Sequence, residues 1–109
     1  MKRIEGDELK KLIDERRQLV IIDARGHEAY DKEHIPEALS IPSDHLGRDI
    51  SKSYGKDTTF VTYCTDLECT ASSVAANKLE KYGYTNVLEY KAGIEDWKTR
   101  GYPTVKKTR

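Results

Sequence analysis

The chain has 109 residues, a length that suits one domain with one hydrophobic core and leaves no room for two. Its 19 basic and 19 acidic side chains cancel, which argues against a dedicated nucleic-acid or membrane-surface protein, whose partner would call for a net basic face. No apolar run approaches the roughly 18 residues of a membrane-spanning helix. The N-terminal Met1-Lys2-Arg3-Ile4-Glu5-Gly6 also lacks the apolar stretch of a signal peptide, so a cytoplasmic location is expected.

In chain order, Asp7 is expected to cap a short helix with the stripe Leu9, Leu12 and Ile13. Leu19-Val20-Ile21-Ile22 is continuous and β-branched, the pattern of a strand buried on both faces. It ends in Asp23-Ala24-Arg25-Gly26, a loop, and a short helix is expected from His27 to Lys32. Pro36 keeps Ile35 out of helix, so His34-Ile35-Pro36 reads as a turn. A short strand follows at Ala38 to Ile41, stopped by Pro42. Ser43 to Ile50 reads as a short helix or structured loop, and Ser51 to Asp57 as a polar connection.

Thr58 to Tyr63 is the second clear buried strand, with Cys64 directly after it. A helix is expected from Thr70 to Tyr82, with Ala71, Val74, Ala75, Leu79 and Tyr82 on its inner face. Gly83 ends it. Asn86 to Tyr90 gives another strand and Ile94 to Thr99 a last short helix carrying Trp97. Residues 103–109 form a basic tail expected to fray. Strands alternating with helices predict an α/β fold with a mostly parallel sheet, whose ligands bind beyond the carboxyl ends of the strands.

Cys64 stands at such an end. Backbone N–H groups in a tight strand-to-helix loop can converge on one point, and the helix N-terminus adds its positive end. A thiolate there is expected to have a pKa below the free value of about 8.5. A persulfide sulfur would be stabilised by the same donors. With only two cysteines, Cys64 and Cys69, and nothing that implies secretion, the pair is expected to serve chemistry rather than to form a structural bridge.

Three separated motifs then carry a resemblance. The first is Ile22-Asp23-Ala24-Arg25-Gly26-His27-Glu28-Ala29-Tyr30, running into His34-Ile35-Pro36-Glu37-Ala38-Leu39-Ser40-Ile41-Pro42. The second is Cys64-Thr65-Asp66-Leu67-Glu68-Cys69-Thr70 with Ser72-Ser73 at the helix start. The third is Ala92-Gly93-Ile94-Glu95-Asp96-Trp97 with Gly101-Tyr102-Pro103. Their order and spacing resemble a single-domain rhodanese-like sulfurtransferase spanning residues 1–109, here with a two-cysteine active loop. The resemblance implies a three-layer α/β fold, a central sheet flanked by helices, and a sulfane sulfur carried on Cys64 and passed to a thiol acceptor. No cofactor and no metal are expected.

The loop from Cys64 to Cys69 has six residues, the size that resembles sulfur-handling members. The related phosphatases use a loop one residue longer that ends in arginine, and phosphate calls for a bidentate cation that this loop lacks. Leu67 stands where many members have glycine, and a side chain there resists positive φ. Cys69 stands where many have arginine, with Asp66 and Glu68 as neighbours. These charges repel a small dianion, so thiosulfate is expected to be a poor donor beside persulfides and polysulfides.

Cys69 has two readings: a resolving or second sulfur-carrying thiol, or a small buried filler. As a resolving thiol it would need the loop to open. Asp23 and Arg25 are implied to support the site from the neighbouring strand end, against the plainer reading of a local cap or an ion pair of Arg25 with Glu28. His34 is expected to order its turn. His27, His34, His45 and the cysteines fit no compact zinc spacing. Two further functions compete with sulfur transfer: a dithiol redox protein using Cys64 and Cys69, and a non-catalytic binding module of the same fold.

Overall fold

Two runs of β-branched and aromatic residues set the centre of the molecule, β2 (Val20–Asp23) and β4 (Thr59–Tyr63). In the computed structural model, which describes residues 1–107, they pair in parallel, with Val20 opposite Phe60 and Asp23 opposite Tyr63. β5 (Asn86–Tyr90) lies on the other side of β4. β1 (Lys2–Arg3) extends the sheet beyond β5, and β3 (Leu39–Ser40) extends it beyond β2. The order is β1-β5-β4-β2-β3, and every pairing is parallel.

Parallel neighbours need crossovers. These are supplied by α1 (Gly6–Asp14), α2 (His27–Lys32), a 3-10 turn at Arg48–Lys52 and α3 (Ala71–Lys81), while α4 (Gly93–Thr99) follows β5. Successive side chains leave a strand on opposite faces. Ile21, Val61 and Tyr63 therefore enter one core layer, closed by Leu9 of α1 and by Ile94 and Trp97 of α4. Ile22 and Phe60 enter the other, closed by Ala75, Ala76 and Leu79 of α3. This is the three-layer α/β architecture that the sequence predicts.

Several details differ from the sequence reading. α1 begins at Gly6 after Glu5, whose N–H donates to the Glu8 carboxylate at 3.1 Å. Asp7 lies inside the first turn and accepts the Glu8 N–H at 3.0 Å, so it is not the cap. β1 has no sequence signal, because its two residues are exposed and charged; pairing with β5 alone defines it. Val74, expected on the inner face of α3, is 42% exposed. Lys78 of the same helix donates to the carbonyls of Ser43 at 2.7 Å and Leu46 at 3.3 Å.

The expected fraying of residues 103–109 is also corrected over its described part. Trp97 Nε1 donates to the Pro103 carbonyl at 2.7 Å. His34 and Val105 exchange backbone hydrogen bonds at 2.8 and 2.9 Å, and the Lys107 N–H reaches the Asp31 carbonyl at 3.0 Å. The buried indole needs a partner for its N–H, and the tail provides it. Thr108 and Arg109 lie outside the described residues.

Candidate active site

Cys64 leaves β4 at the carboxyl edge of the sheet, next to the point where the Ala24 N–H donates to the Tyr63 carbonyl at 2.9 Å. Its side chain is buried, at 2% exposure. The first turn of α4 stands on the loop: the N–H groups of Ile94 and Glu95 donate to the carbonyls of Cys64 and Thr65, each at 3.0 Å. Gly93 makes that approach feasible. It adopts φ +73°, and a Cβ there would meet the Cys64 and Thr65 carbonyl oxygens at 2.6 Å, closer than any carbon and oxygen can sit without strain.

Asp66 turns the chain back. Its Oδ1 accepts the Glu68 N–H at 3.0 Å and its carbonyl accepts the Cys69 N–H at 3.1 Å, a local turn of the kind Asp favours. Leu67 at the tip is 56% exposed. It is not among the non-glycine residues with positive φ, which are Arg16 and Glu37, so the loop turns without the glycine that many members have there. Lys91, just after β5, donates from Nζ to the Cys69 carbonyl at 2.5 Å. A cation from outside the loop thus lies against it.

The two ends of the loop meet, and Cys64 and Cys69 are joined by a disulfide with their Cα atoms 6.2 Å apart. This corrects two expectations. The thiols do form a bridge, and closure needs no opening of the loop, because 6.2 Å lies inside the 4.4–6.8 Å range that a disulfide spans. Nor is Cys69 an interior filler; it is half-buried at the protein surface. Thr65 Oγ1 lies 3.9 Å from Cys64 Sγ. Thr70 is exposed and precedes the first turn of α3.

Under the start of α3 lies a carboxylate that sequence reasoning passed over. Glu89 of β5 is 8% exposed, and its Oε2 accepts the hydroxyls of Ser72 at 2.7 Å and Ser73 at 2.6 Å. Thr62 Oγ1 donates to the Ser72 carbonyl at 2.9 Å. A negative group beneath a helix N-terminus is favoured by the helix dipole.

Asp23 and Arg25 form a second buried network on the opposite face. Arg25 donates to both Asp23 oxygens, from Nε at 2.9 Å and from an Nη at 2.7 Å, and also to the Glu33 carbonyl at 2.6 Å. Tyr63 Oη donates to Asp23 Oδ2 at 2.7 Å and accepts the Ile35 N–H at 3.1 Å. Burial opposes the Arg25 charge, but Asp23 outweighs it and holds the guanidinium pKa above its ordinary value. Burial pushes the Tyr63 phenol up strongly, and the Asp23 charge adds to this. Arg25 therefore pairs with Asp23 rather than Glu28, and its Nε and one Nη are engaged inside the fold.

The histidines are engaged separately. His27 Nδ1 lies 2.6 Å from Ser40 Oγ and His34 Nδ1 lies 2.7 Å from the Tyr30 carbonyl, so His34 orders its turn as expected. Beside the cysteine loop a shallow depression of about 360 Å³ is lined by Asp66, Leu67, Glu68, Ala92, Glu95 and Asp96. Its carboxylates give the mouth of the loop an acidic wall. A roomier depression of about 550 Å³, lined by Lys2, Arg3, Lys11 and Arg17 among others, shares no residue with the loop.

Comparison with known proteins adds the family. Residues 5–100 match the rhodanese-like domain. The chain belongs to that family. Thiosulfate sulfurtransferase GlpE of Coxiella burnetii is 30% identical over 89 residues, which cover 82% of this chain and 79% of that protein. The putative sulfur carrier protein YrkF of Bacillus subtilis is 27% identical over 88 residues, 81% of this chain and 46% of that protein. Among solved structures, the BH2092 protein of Bacillus halodurans superposes with a TM-score of 0.90 at 29% identity, covering 96% of this chain and 77% of its own. The names of the Coxiella and Bacillus subtilis relatives both carry sulfur chemistry, which supports sulfur transfer at the level of the family.

Within the rhodanese-like frame, the sequence located the loop but not what holds it. Gly93 and Lys91 both follow β5, and a strand ending in a lysine and a glycine before a helix was the available signal for a close approach. Glu89 had a signal too, a charged residue inside an otherwise buried strand pattern.

Proposed function

We propose that this domain is a sulfurtransferase in which Cys64 accepts a sulfane sulfur as a persulfide and yields it to a thiol acceptor. The observation that carries this reading is the position of Cys64: buried, at the carboxyl end of the central strand, opening a six-residue loop into α3. The Cys64 thiolate attacks the outer sulfur of the donor, the donor thiolate leaves, and an acceptor thiolate later takes the sulfur from Cys64, a two-step covalent exchange. Asp23 and Arg25 support the neighbouring strand end rather than touch the donor.

Donor choice follows from charge. At 4 Å, each pair of unit charges costs about 1 kcal/mol in water and about 4 kcal/mol at an effective dielectric of 20. Asp66 and Glu68 therefore penalise a dianion more than a neutral or singly charged persulfide. Thiosulfate, the donor in the name of the Coxiella relative, is expected to serve this chain poorly. The test is intact mass after polysulfide treatment of the reduced Cys69→Ser protein, in which no second thiol can discharge the load: one sulfur gained, removable by cyanide and absent when Cys64→Ala is added. No sulfur gained by that variant and no hydrosulfide released by the native protein would refute the reading. A dithiol redox role is the second reading, favoured by the Cys64–Cys69 bond. The binding-module reading loses ground because the cysteine stands at its motif position.

A further inference from the structure

We infer that Cys69 is a resolving thiol that turns a sulfur loaded on Cys64 into free hydrosulfide, leaving the Cys64–Cys69 disulfide for a dithiol reductant to open. The inference rests on the reading that Cys64 carries sulfane sulfur, and adds to it an intramolecular second step.

The decisive geometry is which sulfur Cys69 can reach. A persulfide on Cys64 has an inner atom, Sγ, and an outer sulfane atom. Attack on the outer atom would move the sulfane sulfur to Cys69; attack on the inner atom expels it. The structure joins Cys69 Sγ to Cys64 Sγ itself, so the inner atom lies within bonding reach of Cys69. In the step, the Cys69 thiolate forms a bond to Cys64 Sγ, the bond from Sγ to the sulfane sulfur breaks, and that sulfur leaves with the electron pair as hydrosulfide. Across both steps the two thiols are oxidised to a disulfide and the sulfane sulfur is reduced to the sulfide level, so electrons balance.

The surroundings keep the two cysteines in register. Cys64 is fixed by β4 and by the Ile94 N–H on its carbonyl. Cys69 is fixed by the Asp66 turn on its N–H and by Lys91 on its carbonyl. Both anchors come from outside the loop's tip: Lys91 and Ile94 follow β5 within four residues of each other.

Exposure also gives the reset a direction. Cys64 is buried and Cys69 half-buried, so an incoming reductant thiolate reaches Cys69 Sγ and expels Cys64 as the leaving thiolate. A second thiol of the same reductant then frees Cys69. That order returns the carrier cysteine in its reactive form. A dithiol is called for because a monothiol would stall as a mixed disulfide on Cys69.

The test loads the reduced protein anaerobically with inorganic polysulfide, removes excess donor by gel filtration, and follows intact mass and trapped hydrosulfide without added thiol. The expected result is that wild type loses two hydrogens relative to its reduced mass and releases one hydrosulfide per chain. Cys69→Ser and Cys69→Ala should stall at the persulfide, holding one extra sulfur and releasing at least tenfold less hydrosulfide. A mock-treated sample should keep two free thiols. Wild type that retains the extra sulfur as long as the variants overturns the inference and leaves the carrier reading standing. So does a disulfide that forms equally in the mock sample. Failure of both variants and wild type to gain sulfur or release hydrosulfide overturns the carrier reading itself.

Discussion

The contact between α4 and the cysteine loop makes Gly93→Ala the most informative single substitution. Two costs add. A left-handed conformation costs a residue with a Cβ about 1–2 kcal/mol, and Gly93 sits at φ +73°. The new methyl would also lie 2.6 Å from two backbone carbonyl oxygens, where ordinary contact starts at 3.4 Å. Relief requires α4 and the loop to part by about 0.8 Å. That would stretch the Ile94 and Glu95 hydrogen bonds from 3.0 Å well past the range where such bonds hold, at about 0.5–1.5 kcal/mol each. The total is about 2–5 kcal/mol. Gly101 is the control: its φ is +80°, but nothing lies within 4 Å of a Cβ there, so Gly101→Ala incurs only the conformational cost. Urea unfolding of both reduced variants measures the difference, expected at about 1–3 kcal/mol. Sulfur uptake at Cys64 should also slow for Gly93→Ala, by about 100-fold if the loop shifts on the order of 1 Å. Equal destabilisation by the two substitutions, with normal uptake in Gly93→Ala, would refute the reasoning.

Four further variants have expected outcomes. Asp66→Asn with Glu68→Gln should raise thiosulfate efficiency by about tenfold or more, since about 1.4 kcal/mol of relieved repulsion suffices, while efficiency with a small, singly charged alkyl persulfide changes little; steady-state rates with both donors check it. Asp23→Ala, by leaving Arg25 largely buried without its partner, should cost about 3 kcal/mol, and Tyr63→Phe about 1–3 kcal/mol because Ile35 loses its acceptor. The Tyr63 phenol, pushed up by burial and by Asp23, contributes stability that is fully present below the ordinary phenol value of about 10 and is lost as pH rises above it toward the folded value. Tyr63→Phe should accordingly lose less stability between neutral and strongly alkaline pH, as read by urea titrations; parallel pH curves would count against it. Truncation after Tyr102 should destabilise by about 1–3 kcal/mol through the orphaned Trp97 N–H, and an unchanged urea midpoint would show that the tail is dispensable.

The architecture was legible because its central strands carry the pattern of buried β-structure: Val20–Asp23 and Thr59–Tyr63 needed no partner to be recognised. Cys64 was legible for the same reason, being the first residue past such a strand. What escaped detection depends on contacts between distant segments. Lys2–Arg3 becomes a strand only through β5. Pro103 and Val105 are held by Trp97 and His34, and nothing local announces it. Lys91 is one lysine among many until the loop folds back over it. The distance between Cys64 and Cys69 depended on a turn made by Asp66 through its own side chain, where the family pattern suggested that a glycine would be needed.

That turn bears on how one loop can serve two states. Its ends are held by β4, by the α4 N-terminus and by Lys91, whereas Leu67 and Glu68 at the tip are exposed and answer only to Asp66. Making or breaking a bond between Cys64 and Cys69 then leaves the central sheet undisturbed. The same arrangement explains why the missing loop arginine does not leave the site without a cation. An arginine at position 69 would project its charge toward an incoming anion. Lys91 instead directs its charge at the Cys69 backbone, where it steadies the second thiol and is occupied as a donor. The balance of 19 basic and 19 acidic residues thus conceals a local separation of charge: carboxylates line the loop's mouth, where a small dianion would meet repulsion, and the nearby cation is bonded to the loop's own backbone.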